Sequence, residues 1–289
     1  MKCAFCNKNN TIENSHVVSK FLINHIKRNS PTKYLFNSWS PKKQQDGIKG
    51  AYLCAECDNI IFSQWENNFK RKVFDNLDKN IPIEFDEDSI KFILSIVFRY
   101  SEYFFVTSII DSNHENHTRF KELAFESLHD LKLINKKIFI YPYFFTPIIE
   151  GCEFIPGINH LLNLAFNAQS LPAEAEDEEL PNAFFLLLPS MVFLVTDSEL
   201  CSSSEARLNK CTSIDVGVKY QLHDINTNMV HFLKVIFQRI LGQTKTHQKN
   251  TLFKKINYGI DKLKNPNKLC YKCQSWDSKL KKWQIDKKC

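Results

Sequence analysis

The sequence predicts an α+β fold in which a small metal-stapled N-terminal domain precedes a larger domain of helices and strands and a basic C-terminal segment. Three observations carry this reading. Two Cys-x-x-Cys pairs, Cys3/Cys6 and Cys54/Cys57, lie near one end of the 289 residues. The centre of the chain mixes apolar runs at helical spacing with β-branched and aromatic runs of strand length. Charge falls in blocks: residues 1–84 carry a net +5, residues 85–241 a net −9 and residues 242–289 a net +10, within an overall +6. The blocks set the expected division into 1–84, 85–241 and 242–289.

The first segment opens on the knuckle Cys3-Ala4-Phe5-Cys6, followed by a short strand that carries His16. Val18, Phe21, Leu22, Ile23 and Ile26 predict a short helix over Val18–Arg28. Residues 29–50 are polar and punctuated by Pro31, Pro41, Gly47 and Gly50, so they are expected as a loop. Ala51–Leu53 is expected as a second strand leading into Cys54-Ala55-Glu56-Cys57. From there Ile60, Ile61, Trp65, Phe69, Val73 and Phe74 recur at helical spacing. Knuckle, strand, loop, strand, knuckle, helix is the order of a treble-clef zinc fold.

In the middle segment, Asp86, Asp88 and Ser89 are helix-start signals before an apolar helix, Ile90–Val106. Arg119–Leu133 is expected as a second helix, and Lys137–Ile149 and Phe184–Thr196 as buried strands. Between the strands, the acidic run Leu171–Pro181 is expected as an exposed loop. Asn228–Leu241, closed by Gly242, and Leu252–Leu263 are expected as helices. His114 and His117 fall in a polar run expected as a surface loop.

Composition excludes several classes. With 43% apolar and 24% charged residues, 24 Phe and only 7 Gly, the chain is neither disordered nor collagen-like. No apolar run reaches the roughly eighteen residues of a membrane span. Met1-Lys2-Cys3-Ala4-Phe5-Cys6 lacks the apolar stretch of a secretory signal. A soluble cytoplasmic protein with no membrane partner is therefore expected. Ten Cys without a signal read as metal ligands or buried thiols, not as a disulfide framework. Two thiolates separated by two residues grip one ion from a tight turn, and two such knuckles complete a tetrahedral Zn²⁺ shell. Cys3, Cys6, Cys54 and Cys57 are accordingly the expected structural zinc ligands. Cys270 and Cys273 form a third knuckle that needs two more ligands, with Cys201, Cys211, Cys289 and His247 as candidates, while Cys152 reads as a small core residue. No Gly-rich phosphate loop and no G-x-S-x-G context around Ser202–Ser204 are present.

The stretch Glu13-Asn14-Ser15-His16-Val17-Val18-Ser19-Lys20-Phe21-Leu22, with Leu53-Cys54-Ala55-Glu56-Cys57-Asp58-Asn59 and Trp65-Glu66, resembles the HNH (His-Me finger, ββα-metal) endonuclease family. The likeness is to zinc-stapled members with CxxC…SH…LCxxC organisation and covers residues 3–75. It implies a ββα-metal nuclease site in which His16 is the general base that takes a proton from water. Asn59 supports it, and Asp58, where many relatives have His, holds a catalytic Mg²⁺ or Mn²⁺ with help from Glu66. Ser15 stands where the family usually has an acid or His. The implied activity is metal-dependent hydrolysis of DNA phosphodiester bonds, with basic ends contacting phosphates and the acidic middle regulating or binding a protein partner. By analogy such a chain is an anti-phage defence effector.

Each residue also has a structural alternative. His16 packs in its hairpin or adds a zinc ligand, Asp58 faces the helix dipole, and Glu66 is a solvated surface charge. The corresponding alternative function is a non-catalytic zinc-binding module that recognises nucleic acid or a protein partner. A third reading is a structural subunit braced by zinc.

Overall fold

The computed structural model describes residues 1–29, 35–37, 40–44, 46–77, 83–106, 114–144, 167–171, 182–189, 191–199, 212–214, 274–277 and 282–285. Helix and strand are mixed among them, as an α+β chain requires. In chain order the elements are β1 (Ser15–His16), α1 (Lys20–Asn29), β2 (Leu35–Asn37), β3 (Ser40–Gln44), β4 (Lys49–Gly50), α2 (Ser63–Lys72), β5 (Ile83–Phe85), α3 (Glu87–Val106), α4 (His114–His129) and β6 (Phe139–Phe144). Then follow β7 (Asn167–Leu171), β8 (Ala183–Leu188), β9 (Met191–Thr196), β10 (Thr212–Ile214), β11 (Gln274–Asp277) and β12 (Lys282–Ile285).

The N-terminal segment departs from its expected layout in two places. Residues 29–50 are not simply a loop: β2 and β3 pair as an antiparallel hairpin, with Leu35 opposite Gln44 and Phe36 opposite Lys43. Pro41 is tolerated there because both strands of a two-stranded ribbon are edges. The partner of β1 is β4, not Ala51–Leu53, with Ser15 opposite Gly50 and His16 opposite Lys49. The carbonyls of Tyr52 and Leu53 instead accept from the N–H groups of Ala4 and Ile12, both at 2.8 Å, and so tie the two knuckles together.

The helix after the second knuckle begins as a π-turn over Cys57–Phe62 that runs directly into α2. A π-turn holds one residue more than an α-turn, so the apolar stripe is set back by one position. Ile60, expected on the inner face, is 65% exposed, and Phe62 is buried in its place. From Phe62 the ordinary spacing resumes through Trp65, Phe69 and Val73, all buried.

Asp86 caps α3, its carboxylate accepting from the Ser89 N–H at 2.9 Å and the Ser89 hydroxyl at 2.7 Å. Glu87 and Asp88 in the first turn suit the positive end of the helix dipole. Helix α4 starts five residues before the expected Arg119 and gives way after His129 to a short 3-10 turn at Leu131–Leu133. His114 and His117 are therefore in a helix, not a surface loop. Asn116, His117 and Phe120 are buried, and the His117 ring stacks on Phe104 with centroids 4.7 Å apart and planes at 11°.

Phe184–Thr196 is a hairpin and not one strand, turning at Pro189. It forms the centre of a four-stranded antiparallel sheet in the order β6-β9-β8-β7. The pairs Phe184/Val195, Leu186/Phe193 and Leu188/Met191 share the face that packs into the main core, and the alternating Phe185, Leu187, Val192 and Leu194 are buried as well. Coverage of both faces explains why the run lacks polar alternation. The remaining pairs are β5 with β10, and β11 with β12 inside the basic C-terminal segment.

One buried cluster runs from Cys3 through α2, α3 and α4 to β8 and β9. Phe69 lies 4.2 Å from Phe92 and 6.3 Å from Phe193 between ring centroids, so packing is continuous across position 84. Among the described residues, no helix is long and apolar enough to cross a membrane. The expected acidic loop beyond Leu171, the helices Asn228–Leu241 and Leu252–Leu263, Cys152, and the third knuckle, Cys270 and Cys273, with its candidate partners Cys201, Cys211, His247 and Cys289 lie outside the described residues.

Candidate metal centre and adjoining polar site

The two knuckles bring Cys3, Cys6, Cys54 and Cys57 together, with all four sulfurs within 4.8 Å of one another. All four thiols are free, and Cys6 Sγ lies 3.7 Å from Cys54 Sγ. Sulfurs bound at about 2.3 Å at the corners of a tetrahedron stand about 3.8 Å apart, so this spacing fits one shared metal ion such as zinc. The first knuckle is closed by the Asn7 N–H donating to the Cys3 carbonyl at 2.9 Å, with Asn7 at φ 55. Asn is one of the few residues that adopt this left-handed conformation readily. Asn9 bonds Glu56 at 3.0 Å and approaches Cys54 Sγ at 3.9 Å, linking the knuckles from outside.

The thiols differ in their readiness to ionise. Backbone N–H groups of Asn9 and Lys8 lower Cys6 to about 6. Burial raises Cys3 and Cys57, in Cys57 with help from the neighbouring thiols. Four such groups crowded together favour a bound cation that stabilises all of them as thiolates.

Beside this cluster, the β1–β4 ribbon presents His16. Its Nε2 lies 3.4 Å from Asp46 Oδ1, shielded from solvent and without a hydrogen bond, while the side chain as a whole is 24% exposed. Asp46 also accepts from Lys49 Nζ at 2.6 Å, and this bond, against partial burial, lowers its carboxyl to about 2. His16 is not gathered with the four sulfurs, so it is no extra ligand of that cluster.

Asp58 follows the second knuckle on the π-turn and is half-buried. Burial raises its pKa, Arg99 works against that shift, and Glu66 adds to it. Two α-helical turns would leave Asp58 and Glu66 about 80° apart around the helix, and the extra residue of the π-turn takes back roughly one residue's rotation, about 100°. The two carboxylates therefore come close to sharing a face.

Glu66 is not a solvated surface charge. Its Oε1 accepts from Arg99 Nη1 at 2.8 Å, and Arg99 is 1% exposed. Asn59 is exposed on the π-turn. Tyr52 is fully buried, burial raises its pKa, and its hydroxyl has no hydrogen-bond partner among the described residues. Among those residues, the four cysteines are the one group of three or more His, Cys, Asp or Glu gathered tightly enough to hold an ion.

Sequence reasoning missed Asp46, Tyr52 and Arg99. Arg99 had a visible signal, since a lone charge within an apolar helix must find partners if it is buried. Asp46 and Tyr52 had none. No family model, curated protein or solved structure matches this chain, and the chemistry of the site carries its interpretation.

Proposed function

We propose that the chain is a zinc-stapled, divalent-metal-dependent endonuclease of HNH type that hydrolyses DNA. The observation that carries this reading is the four-cysteine cluster, whose sulfurs all lie within 4.8 Å of one another, with His16 on the β1–β4 ribbon and Asp58 directly after the second knuckle. His16 is partly exposed, and the Asp58 carboxylate has no hydrogen-bond partner among the described residues. In this reading the cluster holds structural Zn²⁺ in a treble-clef, ββα-metal arrangement. Asp46, kept ionised, favours the imidazole tautomer with its proton on Nε2 and leaves Nδ1 to take a proton from the attacking water. Asp58, with Glu66 and Asn59 nearby, would hold Mg²⁺ or Mn²⁺, which binds through one or two carboxylates plus phosphate oxygens. That ion supplies charge stabilisation of the scissile phosphate and the leaving oxygen. A cytoplasmic anti-phage role, with the acidic middle segment contacting a protein partner, belongs to the same proposal and rests on the resemblance.

The test is plasmid cleavage by the purified full chain with Mg²⁺ or Mn²⁺. Cleavage that falls by at least about a hundredfold in H16A, with zinc content unchanged, is the expected result. Equal cleavage by H16A removes His16 from the reaction.

A second reading has its own support: Glu66 is held by Arg99, and no second gathered ligand set accompanies the cysteines among the described residues. On it, the chain is a zinc module that binds nucleic acid or a protein without cutting. Salt-sensitive DNA binding with no cleavage under any divalent ion would select this reading.

A further inference from the structure

We infer that Arg99 is a positioning residue that fixes both His16 and Glu66, which makes α3 part of the site and not only a wall of the core. The inference concerns where His16 and Glu66 are held and is independent of whether either takes part in a reaction.

Arg99 is the sole charged residue of α3 between Lys91 and Glu102, and it is 1% exposed. Its guanidinium joins three elements. Nε donates to the Ser95 carbonyl and Nη2 to the Ser95 hydroxyl, each at 3.2 Å, so the helix's own preceding turn sets the plane of the group. Nη1 then donates outward to Glu66 Oε1 on α2 at 2.8 Å and to the His16 carbonyl on β1 at 3.2 Å. The Phe62 ring lies 5.3 Å from the guanidinium carbon and closes that side.

The ribbon that carries His16 needs this support. It pairs two residues with two, continued by one bond from the Val17 N–H to the Ile48 carbonyl at 3.0 Å. A two-stranded ribbon of that length has little stability of its own. An arginine held by Ser95 provides an anchor from a long buried helix, and a single nitrogen does not replace it. The planar fork of guanidinium reaches several acceptors at fixed angles, whereas an ammonium is a point charge on a flexible stem. Burial of the charge is tolerated because acceptors from α3, α2 and β1 surround it.

The experiment uses the full-length, metal-loaded chain and the variants R99K and S95A. Two readouts are followed: native-state hydrogen exchange of the Val17 amide and the ring nitrogen shifts of His16. Metal content and global stability are controls. R99K is expected to lower Val17 protection by about tenfold beyond any global loss and to move the His16 ring resonances, with metal content unchanged. S95A, which removes one of the four bonds and little volume, is expected to move both in the same direction by less. The inference is overturned if R99K leaves both readouts as in the parent, or if Val17 protection falls only as far as that of every other amide. Should R99K fail to fold, S95A decides: unmoved His16 resonances overturn the inference. A chain that never cuts DNA would sink the nuclease proposal and leave these readouts intact.

Discussion

Cys57 and Phe62 face the same core although they stand five positions apart, because the chain between them makes a π-turn. The register predicts a sharp contrast between neighbours. F62A should cost about 3–5 kcal/mol, while I60A, at a side chain 65% exposed, should stay within about 0.5 kcal/mol. Chemical denaturation of the two variants measures both. A larger loss for I60A would mean that the helix is regular and that Ile60 points inward.

The cysteine cluster predicts metal dependence. The chain should purify with one zinc per molecule, and C54S or C57S should lose it. Chelation should remove several kcal/mol of stability, a fall of roughly 10 °C in Tm. Elemental analysis and thermal unfolding with and without chelator are the measurements, and a metal-free chain of unchanged Tm would refute the prediction.

Asp86 predicts a pH dependence. Burial opposes its charge, yet hydrogen bonds from Lys72, Asn68 and Ser89 outweigh that and hold the carboxyl below its usual range. A carboxyl with a lowered folded pKa stabilises the fold above its unfolded value, about 4, and this contribution is lost as pH falls through the folded value. D86A should be less stable than the parent by about 1–2 kcal/mol at pH 7, with the gap closing under acid. A gap that stays constant from pH 7 to about 2 would show that the charge contributes nothing.

Tyr52 and Gly50 predict opposite signs. The buried Tyr52 hydroxyl lacks a partner among the described residues, so Y52F should raise stability by about 1 kcal/mol. A Cβ on Gly50 would stand 3.1 Å from Tyr52 Cδ1 and 3.3 Å from Tyr103 Cδ2. Both are ring atoms that yield little, and G50A should cost about 1–3 kcal/mol. Denaturant melts of the two variants compare them directly, and a destabilised Y52F would mean that the hydroxyl is bonded in solution.

The cysteine spacing was legible because a thiolate pair that shares one ion must sit in one tight turn, and such turns are local in sequence. Helix α3 was legible for the same reason, with Asp86 and Ser89 as neighbours of the helix they start. The β2–β3 hairpin was hidden because Pro41 and its polar neighbours look like loop, and no apolar face marked the strands. The His117 environment was hidden because its burial comes from Phe104, on another helix. Glu66 showed its carboxylate but not its partner, since Arg99 lies 33 positions away. The π-turn left no compositional trace, and it shows only in the folded backbone, in the exposure of Ile60 and the burial of Phe62.

Phe5, one of the two residues inside the first knuckle, packs among aromatic rings. Its ring meets Phe62 at 5.0 Å, Phe98 at 6.0 Å, Phe125 at 6.0 Å and His129 at 4.9 Å, which belong to the π-turn, α3 and α4. A fragment cut after residue 77 would keep Phe62 but strip that ring of Phe98, Phe125 and His129 and bare that side of it to water, so the cysteine-bearing end is no stand-alone finger. Anyone wishing to graft it onto a foreign host would have to bring α3 and α4 along.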